Sequence, residues 1–204
     1  LNDGVITDEV MVNEYYRKML IECRSMERLV GDLFILSKMQ NPDFKIEKEP
    51  VSIRQVFGDV LRSAREIARK KNITITQKLS VDDEEPCMIL GDYERLRQMF
   101  MIIIDNAVKF SYESGEIIIS IEKRITPKKQ VKIYVSIQDF GVGISKEALP
   151  YIFEKFYKSK LKQNQKGTGL GLMIAKQIAL RHGCDIMVES EIEQGTKFSF
   201  ERSE

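Results

Sequence analysis

The sequence predicts an α+β fold, a two-layer α/β sandwich in which helices pack on a sheet, preceded by one long helix. Two observations predict this class. Segments with helical periodicity are separated from short β-branched segments, and the strand-like segments come in pairs joined by short polar turns. Hairpin-type strands with segregated helices indicate an α+β sandwich and not an alternating parallel α/β fold.

The first predicted element is a long helix from about residue 7 to residue 40. Its apolar residues are spaced alternately by four and three, as in a heptad seam. A helix with such a face cannot bury it alone, so we expect partner helices, and packing on its own domain is the alternative. The segment Asn41–Asp43 ends the helix. The seam consists of Val12, Tyr16, Met19, Cys23, Met26, Val30 and Leu33.

After this break the sequence predicts three further helices and five strands. The helices cover about residues 52–70, 93–110 and 169–181, and the last ends at a glycine stop, Gly183. The strands cover about residues 73–76, 116–122, 131–137, 185–189 and 197–200. A polar turn at 126–129 and a turn at Gly195 predict two hairpins.

Composition excludes several functional classes. The 32 Lys and Arg residues against 31 Asp and Glu give a net charge of +1, whereas nucleic-acid binding usually leaves a clear basic excess. Three scattered cysteines suit a reducing cytosol, and a single histidine provides no metal-ligand set. No apolar run approaches the roughly 18 residues that span a bilayer. The opening segment Leu1–Gly4 is typical of a helix end and a turn, so we expect a piece of a longer chain.

Two polar stretches border the predicted strands and the apolar helix. Asn106 and Lys109 share one helical face, where an amide oxygen suits Mg²⁺ and an ammonium suits phosphate; an ordinary polar helix end is the alternative. Asp139, Gly141 and Gly143 follow a strand directly. The two glycines permit close approach to a ligand, and the carboxylate can accept a hydrogen bond from an amine. A simple turn would also explain them.

Two more stretches follow further along the chain. The run Gly167–Leu172 opens a helix with three glycines, which exposes backbone N–H groups and the positive end of the helix dipole to an anion. A polar loop precedes it, so it is not a dinucleotide-binding fingerprint. The lysine-rich segment Lys158–Lys166 is either a lid that steers a triphosphate or a solvated loop. The aromatics of Phe153–Tyr157 either belong to the core or anchor that lid.

In this order and spacing the four stretches resemble the GHKL ATPases, and more closely the catalytic domain of sensor histidine kinases. The resemblance covers about residues 45–204 and implies the Bergerat type of sandwich. Residues 1–44 resemble the second helix of the dimerisation and phosphoacceptor domain. The matching motifs are an N-box at Asn106–Ser111, a first glycine box at Asp139–Ile144, an F-box at Phe153–Tyr157 and a second glycine box at Gly167–Leu172.

The resemblance implies ATP and Mg²⁺ as cofactors and a role for each matching residue. Asp139 is expected to bind the adenine amino group, Asn106 to ligate Mg²⁺, and Lys109 and Lys158 to approach phosphate. The residues expected to shape or line the base pocket are Phe110, Gly141, Gly143, Ile144 and Thr196. The residues expected at the phosphates are Gly167, Thr168, Gly169, Leu170, Gly171 and Leu172.

The resemblance also implies transfer of the ATP γ-phosphoryl group to a histidine upstream of Leu1, for relay to a response regulator. It implies a homodimer through the helical bundle of the full-length parent, no nucleic acid, and a cytoplasmic domain of a parent anchored in the cell membrane. His182 is not expected to accept phosphate, because it closes a helix before Gly183. Lys166 departs from the family pattern, in which a glycine stands there.

Two alternatives stay open. A stand-alone GHKL ATPase of the gyrase, MutL or chaperone kind would use a glutamate where Ile102 stands, and would lack the F-box and the preceding helix. A non-catalytic nucleotide-sensing dimerisation module would bind nucleotide without transferring phosphate. A Ser/Thr kinase, suggested by the run Asp139–Gly141, is rejected because no His-Arg-Asp motif is present. We expect Ile102 to face the phosphates, with simple core packing as the alternative.

Overall fold

The computed structural model describes residues 9–41, 43–79, 87–125, 131–159 and 167–203. The helices are α1 (Glu9–Gln40), α2 (Ile53–Arg69), α3 (Tyr93–Phe110) and α4 (Gly171–Arg181), with a short 3-10 helix at Leu149–Tyr151. The strands are β1 (Glu49–Ser52), β2 (Thr74–Leu79), β3 (Met88–Gly91), β4 (Glu116–Ile125), β5 (Val131–Asp139), β6 (Ile186–Glu191) and β7 (Gly195–Ser203). The predicted turn at 126–129, the opening segment Leu1–Gly4 and residues 160–166 of the lysine-rich segment lie outside the described residues.

Five strands form one sheet in the order β2-β4-β5-β7-β6. Both predicted hairpins are confirmed, since β4 pairs antiparallel with β5 and β6 pairs antiparallel with β7. The turn of the second hairpin lies at residues 192–194, and Gly195 already belongs to β7. The sequence did not predict that β2 would lie parallel to β4, nor that β1 and β3 would form a separate antiparallel pair.

Local signals set the ends of the helices. Ser52 caps α2 by accepting a hydrogen bond from the Gln55 N–H (3.4 Å), and Asp92 caps α3 by accepting one from the Arg95 N–H (3.0 Å). The predicted glycine stop of α4 is confirmed, because Gly183 takes a φ of 72°, the left-handed conformation that commonly follows a helix end.

The core lies between α2, α3 and α4 and one face of the large sheet. Alternate residues of β4, Ile117, Ile119 and Ile121, are fully buried, as expected for a strand with one covered face. Phe100 of α3 joins the two layers: its ring centroid lies 4.4 Å from that of Phe57 in α2 and 5.4 Å from that of Phe200 in β7. The predicted two-layer sandwich is therefore confirmed.

Helix α1 contacts this sandwich through its C-terminal half. Leu36 and Met39 are buried, whereas the apolar seam that precedes them is largely exposed, with Met26 and Val30 each 65% accessible. The Arg181 guanidinium of α4 holds the end of α1 by donating to the carbonyls of Met39 (2.7 Å) and Asn41 (2.6 Å). Thus the end of the helix packs on its own domain and its apolar seam does not.

Within the described ranges, no helix combines the length and the apolar character that a membrane crossing requires.

Candidate nucleotide-binding site

The carboxylate of Asp139 lies buried at the end of β5, with 3% of the residue exposed. Its Oδ1 accepts the Gly141 N–H at 3.0 Å. Burial raises the pKa of Asp139 to about 6, although hydrogen bonds from the backbone of Gly141 and Thr196 oppose that rise. A buried carboxylate has four acceptor positions. The group can therefore accept further hydrogen bonds from a ligand amine.

Three glycines let the backbone close tightly around Asp139. A Cβ at Gly141 would lie 2.1 Å from the Phe110 carbonyl oxygen, and a Cβ at Gly195 would lie 2.0 Å from the Asp139 carbonyl oxygen. Gly143 has a φ of 67°, and a Cβ placed on it would lie 1.9 Å from the Glu191 carbonyl oxygen. No larger residue fits these positions without moving backbone, so the glycines permit close packing of the protein's own backbone. The close approach to a ligand that the sequence predicts for Gly141 and Gly143 stays a prediction.

Ser190 of β6 joins Ile144 and Thr196, two residues expected at the base. Its hydroxyl donates to the Gly195 carbonyl (2.8 Å) and accepts the Ile144 N–H (2.9 Å). The Thr196 hydroxyl lies 2.9 Å from the same oxygen and can donate to it. The sequence did not single out Ser190, because a serine in a strand carries no signal of its own. The structure thus ties the first glycine box to the β6–β7 hairpin.

The N-box ends beside the first glycine box. The Phe110 carbonyl accepts the Val142 N–H at 3.1 Å. Asn106 and Lys109 are half-buried on α3, and the Lys109 ammonium lies 5.0 Å from the Phe110 ring centroid. The end of α3 therefore joins the carboxylate region to a second, cationic region.

That cationic region contains side chains from three parts of the chain. The pKa of Lys109 is lowered, first by burial and then by the positive charges of Arg28 and Lys158, while Asp105 opposes the shift. Lys158 belongs to the predicted lid and Arg28 to α1. Sequence reasoning missed Arg28 as a site residue, because only the docking of α1 brings it here. Such a concentration of positive charge suits a polyphosphate.

The F-box packs directly on the second glycine box. The Phe156 N–H donates to the Gly169 carbonyl at 2.9 Å, and a Cβ at Gly169 would lie 2.8 Å from the Phe156 carbonyl carbon. Phe153 packs against the core, whereas Phe156 is exposed. Phe153 therefore belongs to the core, whereas anchoring of the lid by the F-box aromatics stays a prediction, because residues 160–166 lie outside the described residues.

Helix α4 starts at the second glycine box. Leu170 precedes it and is fully buried, but offers no side-chain cap, so it does not occupy the first N–H groups of the helix. Leu172 is partly buried against the core. Ile102 of α3 reaches this helix start, with its Cγ2 3.3 Å from the Cβ position of Gly171. Its side chain packs at the junction of the core and the glycine box.

Thr168 connects the second glycine box to α1. Its hydroxyl donates to Asp32 Oδ2 at 2.8 Å and accepts the Leu170 N–H at 3.3 Å. Gly167, just before it, is half-buried. Asp32 lies one helical turn after Arg28, so both residues are on the face of α1 that points to this box.

His182 is fully buried and holds two helices together. Its Nε2 accepts the Asp92 N–H (3.0 Å) at the start of α3, and its Nδ1–H donates to the Ile178 carbonyl (2.7 Å) of α4. Burial lowers the pKa of His182, which keeps the ring neutral. Neither nitrogen faces solvent, which agrees with the expectation that His182 does not accept phosphate.

Among the described residues, no group of three His, Cys, Asp or Glu side chains lies close enough to hold a metal ion. An ion in this site would need oxygen ligands from a bound phosphate group in addition to an amide such as that of Asn106. Mg²⁺ commonly binds in this way, with one or two protein ligands and several water molecules. The donor set therefore fits Mg²⁺ only together with a phosphate ligand.

The class of protein that this fold and site define is an ATPase of the GHKL type. Residues 91–203 match the family described as histidine kinase-, DNA gyrase B-, and HSP90-like ATPase. The chain belongs to this family.

The relatives within that family are sensor histidine kinases. The chain is 30% identical over 185 residues to the sensor histidine kinase YkoH of Bacillus subtilis, covering 90% of this chain and 38% of that protein. It resembles full-length ShkA in complex with AMPPNP (TM-score 0.74, 28% identity, 98% of this chain and 40% of that one). It equally resembles histidine kinase ThkA in complex with the response regulator protein TrrA (TM-score 0.74, 25% identity, 98% and 54%).

Proposed function

We propose that this chain is the ATP-binding catalytic part of a sensor histidine kinase. In the full-length parent it would transfer the ATP γ-phosphoryl group to a histidine upstream of Leu1. The observation that carries the proposal is the buried Asp139 carboxylate, enclosed by Gly141, Gly143 and Gly195, with a cationic region beside it at the last turn of α3. One end suits an adenine amine and the other suits a triphosphate.

The base end favours adenine over guanine. The ionised carboxylate of Asp139 accepts a hydrogen bond from the amino group of adenine, whereas guanine has a carbonyl oxygen at that position. Two facing acceptors leave a buried polar group unpaired, which costs about 1–3 kcal/mol. Phe110, Ile144 and Thr196 adjoin this carboxylate through the backbone and hydroxyl contacts of the first glycine box, so they are our candidates for the base-pocket lining.

The phosphate end would bind with charges and with the helix start. Lys109 and Lys158 attract the phosphates, and the uncapped start of α4 with Gly167–Leu172 offers backbone N–H groups. Asn106 would ligate Mg²⁺, and a bound Mg²⁺ would neutralise negative charge on the phosphate oxygens. Ile102 has no proton-accepting atom, so it cannot activate water in the way a glutamate would. This favours transfer to a protein side chain over hydrolysis.

The partner we propose is a response regulator. The support is the likeness to histidine kinase ThkA, whose structure was solved in complex with the response regulator protein TrrA. We also propose that the parent is a homodimer, because the exposed seam of α1 has the spacing of a bundle helix and needs cover.

The domain organisation and location are part of the same proposal. Residues 1–44 would be the second helix of a dimerisation and phosphoacceptor domain, and residues 45–204 the catalytic ATP-binding domain. The catalytic domain would lie in the cytoplasm, and the parent would be anchored in the cell membrane. The chain spans 38% of the length of YkoH, which leaves room in such a parent for a sensing part.

Phosphotransfer in trans tests this function. The chain is mixed with radiolabelled ATP, with and without a separate polypeptide that contains the phosphoacceptor helices of the parent. We expect acid-labile phosphate on that polypeptide and none on this chain, because transfer needs a positioned nucleophile. An Asp139→Asn chain is the control for dependence on the site. Rapid phosphate release without transfer would favour a stand-alone ATPase, and binding with neither reaction would favour a nucleotide-sensing module.

A further inference from the structure

Lys71 lies in the turn after α2, far from the site in sequence, and reaches the end of the N-box. Its ammonium donates three hydrogen bonds to backbone carbonyls, those of Val108 (3.0 Å), Lys109 (2.7 Å) and Ser111 (3.2 Å). The acceptors are 37 to 40 residues away along the chain. An ammonium has three N–H donors, so these contacts use all of them.

These bonds satisfy groups that the helix itself leaves open. The last four carbonyls of an α-helix have no partner within the helix, and in α3 they belong to residues 107–110. Ser111 donates to the first of them from its N–H and its hydroxyl, and the Val142 N–H donates to the last. Lys71 donates to the two in between. Its positive charge also lies at the negative end of the helix dipole.

This helix end is the segment on which the phosphate side of the proposed site depends. Asn106 and Lys109 project from the last turns of α3, and the carbonyl of Lys109 itself is bound to the Lys71 ammonium. Loosening this turn would move the amide oxygen and the ammonium relative to the phosphates. Placement errors of this kind weaken a site whose ligands must match a fixed geometry.

We propose that Lys71 is a positioning residue for phosphate and Mg²⁺ binding, acting through the last turn of α3. The inference rests on the proposed nucleotide function of the site. The three donors of the Lys71 ammonium go to the carbonyls of Val108, Lys109 and Ser111, so none reaches Asp139. Phe110, the base-end residue of the same turn, is held separately by the Val142 N–H. Its loss should therefore weaken binding of the triphosphate more than binding of the nucleoside.

Lys71→Met tests this separation, because methionine has a similar length and no donors. Affinities for Mg-ATP are measured by calorimetry and those for adenosine by NMR titration. We expect Mg-ATP binding to weaken by about tenfold and adenosine binding by less than about threefold, since two helix carbonyls lose their partner while the base end keeps its contacts. Lys70→Met is the matched control: it removes the same charge from an exposed neighbour and should leave both affinities unchanged.

Lys71→Arg provides a second test that holds if the methionine variant does not fold. A planar guanidinium keeps donors but cannot direct three of them as an ammonium does. The ratio of Mg-ATP to adenosine affinity in Lys71→Arg should therefore lie between the ratios of the wild type and of Lys71→Met. If Lys71→Met does not fold, the ratio in Lys71→Arg should lie below that of the wild type. Equal losses for the two ligands, or no loss for either, would overturn the inference. A wild-type chain that binds neither ligand would instead refute the proposed function.

Discussion

The two ends of the candidate site differ in burial and in the kind of residue that forms them. At the base end, Asp139 and Thr196 are buried and Gly141 and Gly195 press against neighbouring backbone, so the geometry is set by the sheet. At the phosphate end, Lys158 is exposed and Lys109 is half-buried, and both act through charge. Base selectivity should therefore depend on rigid packing, while phosphate affinity should respond to salt and to the position of α1.

The largest expected effect comes from filling a base-end glycine. Gly195→Ala would place a Cβ 2.0 Å from the Asp139 carbonyl oxygen at a φ of 93°, so the backbone must shift. We expect the free energy of unfolding to fall by about 3 kcal/mol or more, measured by urea denaturation.

Gly171→Ala is the matched phosphate-end substitution. Its Cβ would meet only the Ile102 Cγ2 at 3.3 Å, the end of a side chain that can adjust. We expect a change below about 1 kcal/mol, because alanine also favours the helix. If both variants lost the same stability, the contrast between the two ends would fail.

Asp139→Asn should weaken ATP binding by about 1–3 kcal/mol, because an amide replaces the buried acceptor that the adenine amine needs. Isothermal calorimetry measures this loss. A circular dichroism melt of the same variant controls for folding. An unchanged affinity in the folded variant would separate Asp139 from base recognition.

The base end should also respond to pH. Burial raises the pKa of Asp139 to about 6, so the native state takes up a proton there as pH falls from 6 toward 4, and this group favours folding more at low pH. Adenine needs the ionised form, so ATP affinity should drop by about tenfold between pH 8 and pH 5. Asp139→Asn should lose this dependence. A wild-type affinity that stays flat over the same range would contradict the role of the carboxylate.

Another small effect is expected at the contact of α1 with the phosphate end. Thr168→Val keeps the side-chain shape and removes the hydroxyl that donates to Asp32. We expect a loss of about 0.5–1.5 kcal/mol in stability and faster hydrogen exchange in the last turns of α1. Asp32→Ala closes a double-mutant cycle, and additive effects of the two substitutions would show that the pair does not interact.

Sequence reasoning predicted the elements that carry a long periodic pattern. The helices α1 to α4 and the two hairpins fall where the spacing placed them. It missed β1 and β3, because neither four-residue segment has the β-branched or alternating pattern that marks the predicted strands. It also missed the parallel pairing of β2 with β4. That pairing depends on the long connection through β3 and α3, which local sequence patterns do not specify.

Within the site, sequence patterns identified residues that belong to short motifs and missed those that only tertiary contacts bring in. Asp139 and the glycines lie in runs with a recognisable spacing. No such run contains Lys71, Ser190 or Asp32. Each of these residues contacts the site from a segment whose own sequence has no recognisable motif. Their roles follow from long-range packing, which local periodicity does not encode.

Comparing ATP and GTP on the wild-type chain tests the central claim most directly. Calorimetric titrations at pH 8 with Mg²⁺ keep the triphosphate constant and change only the base. We predict that ATP binds at least about tenfold more tightly than GTP, because guanine would oppose an oxygen to the buried Asp139 carboxylate. Equal affinities for the two nucleotides would contradict the assignment of the base end to Asp139.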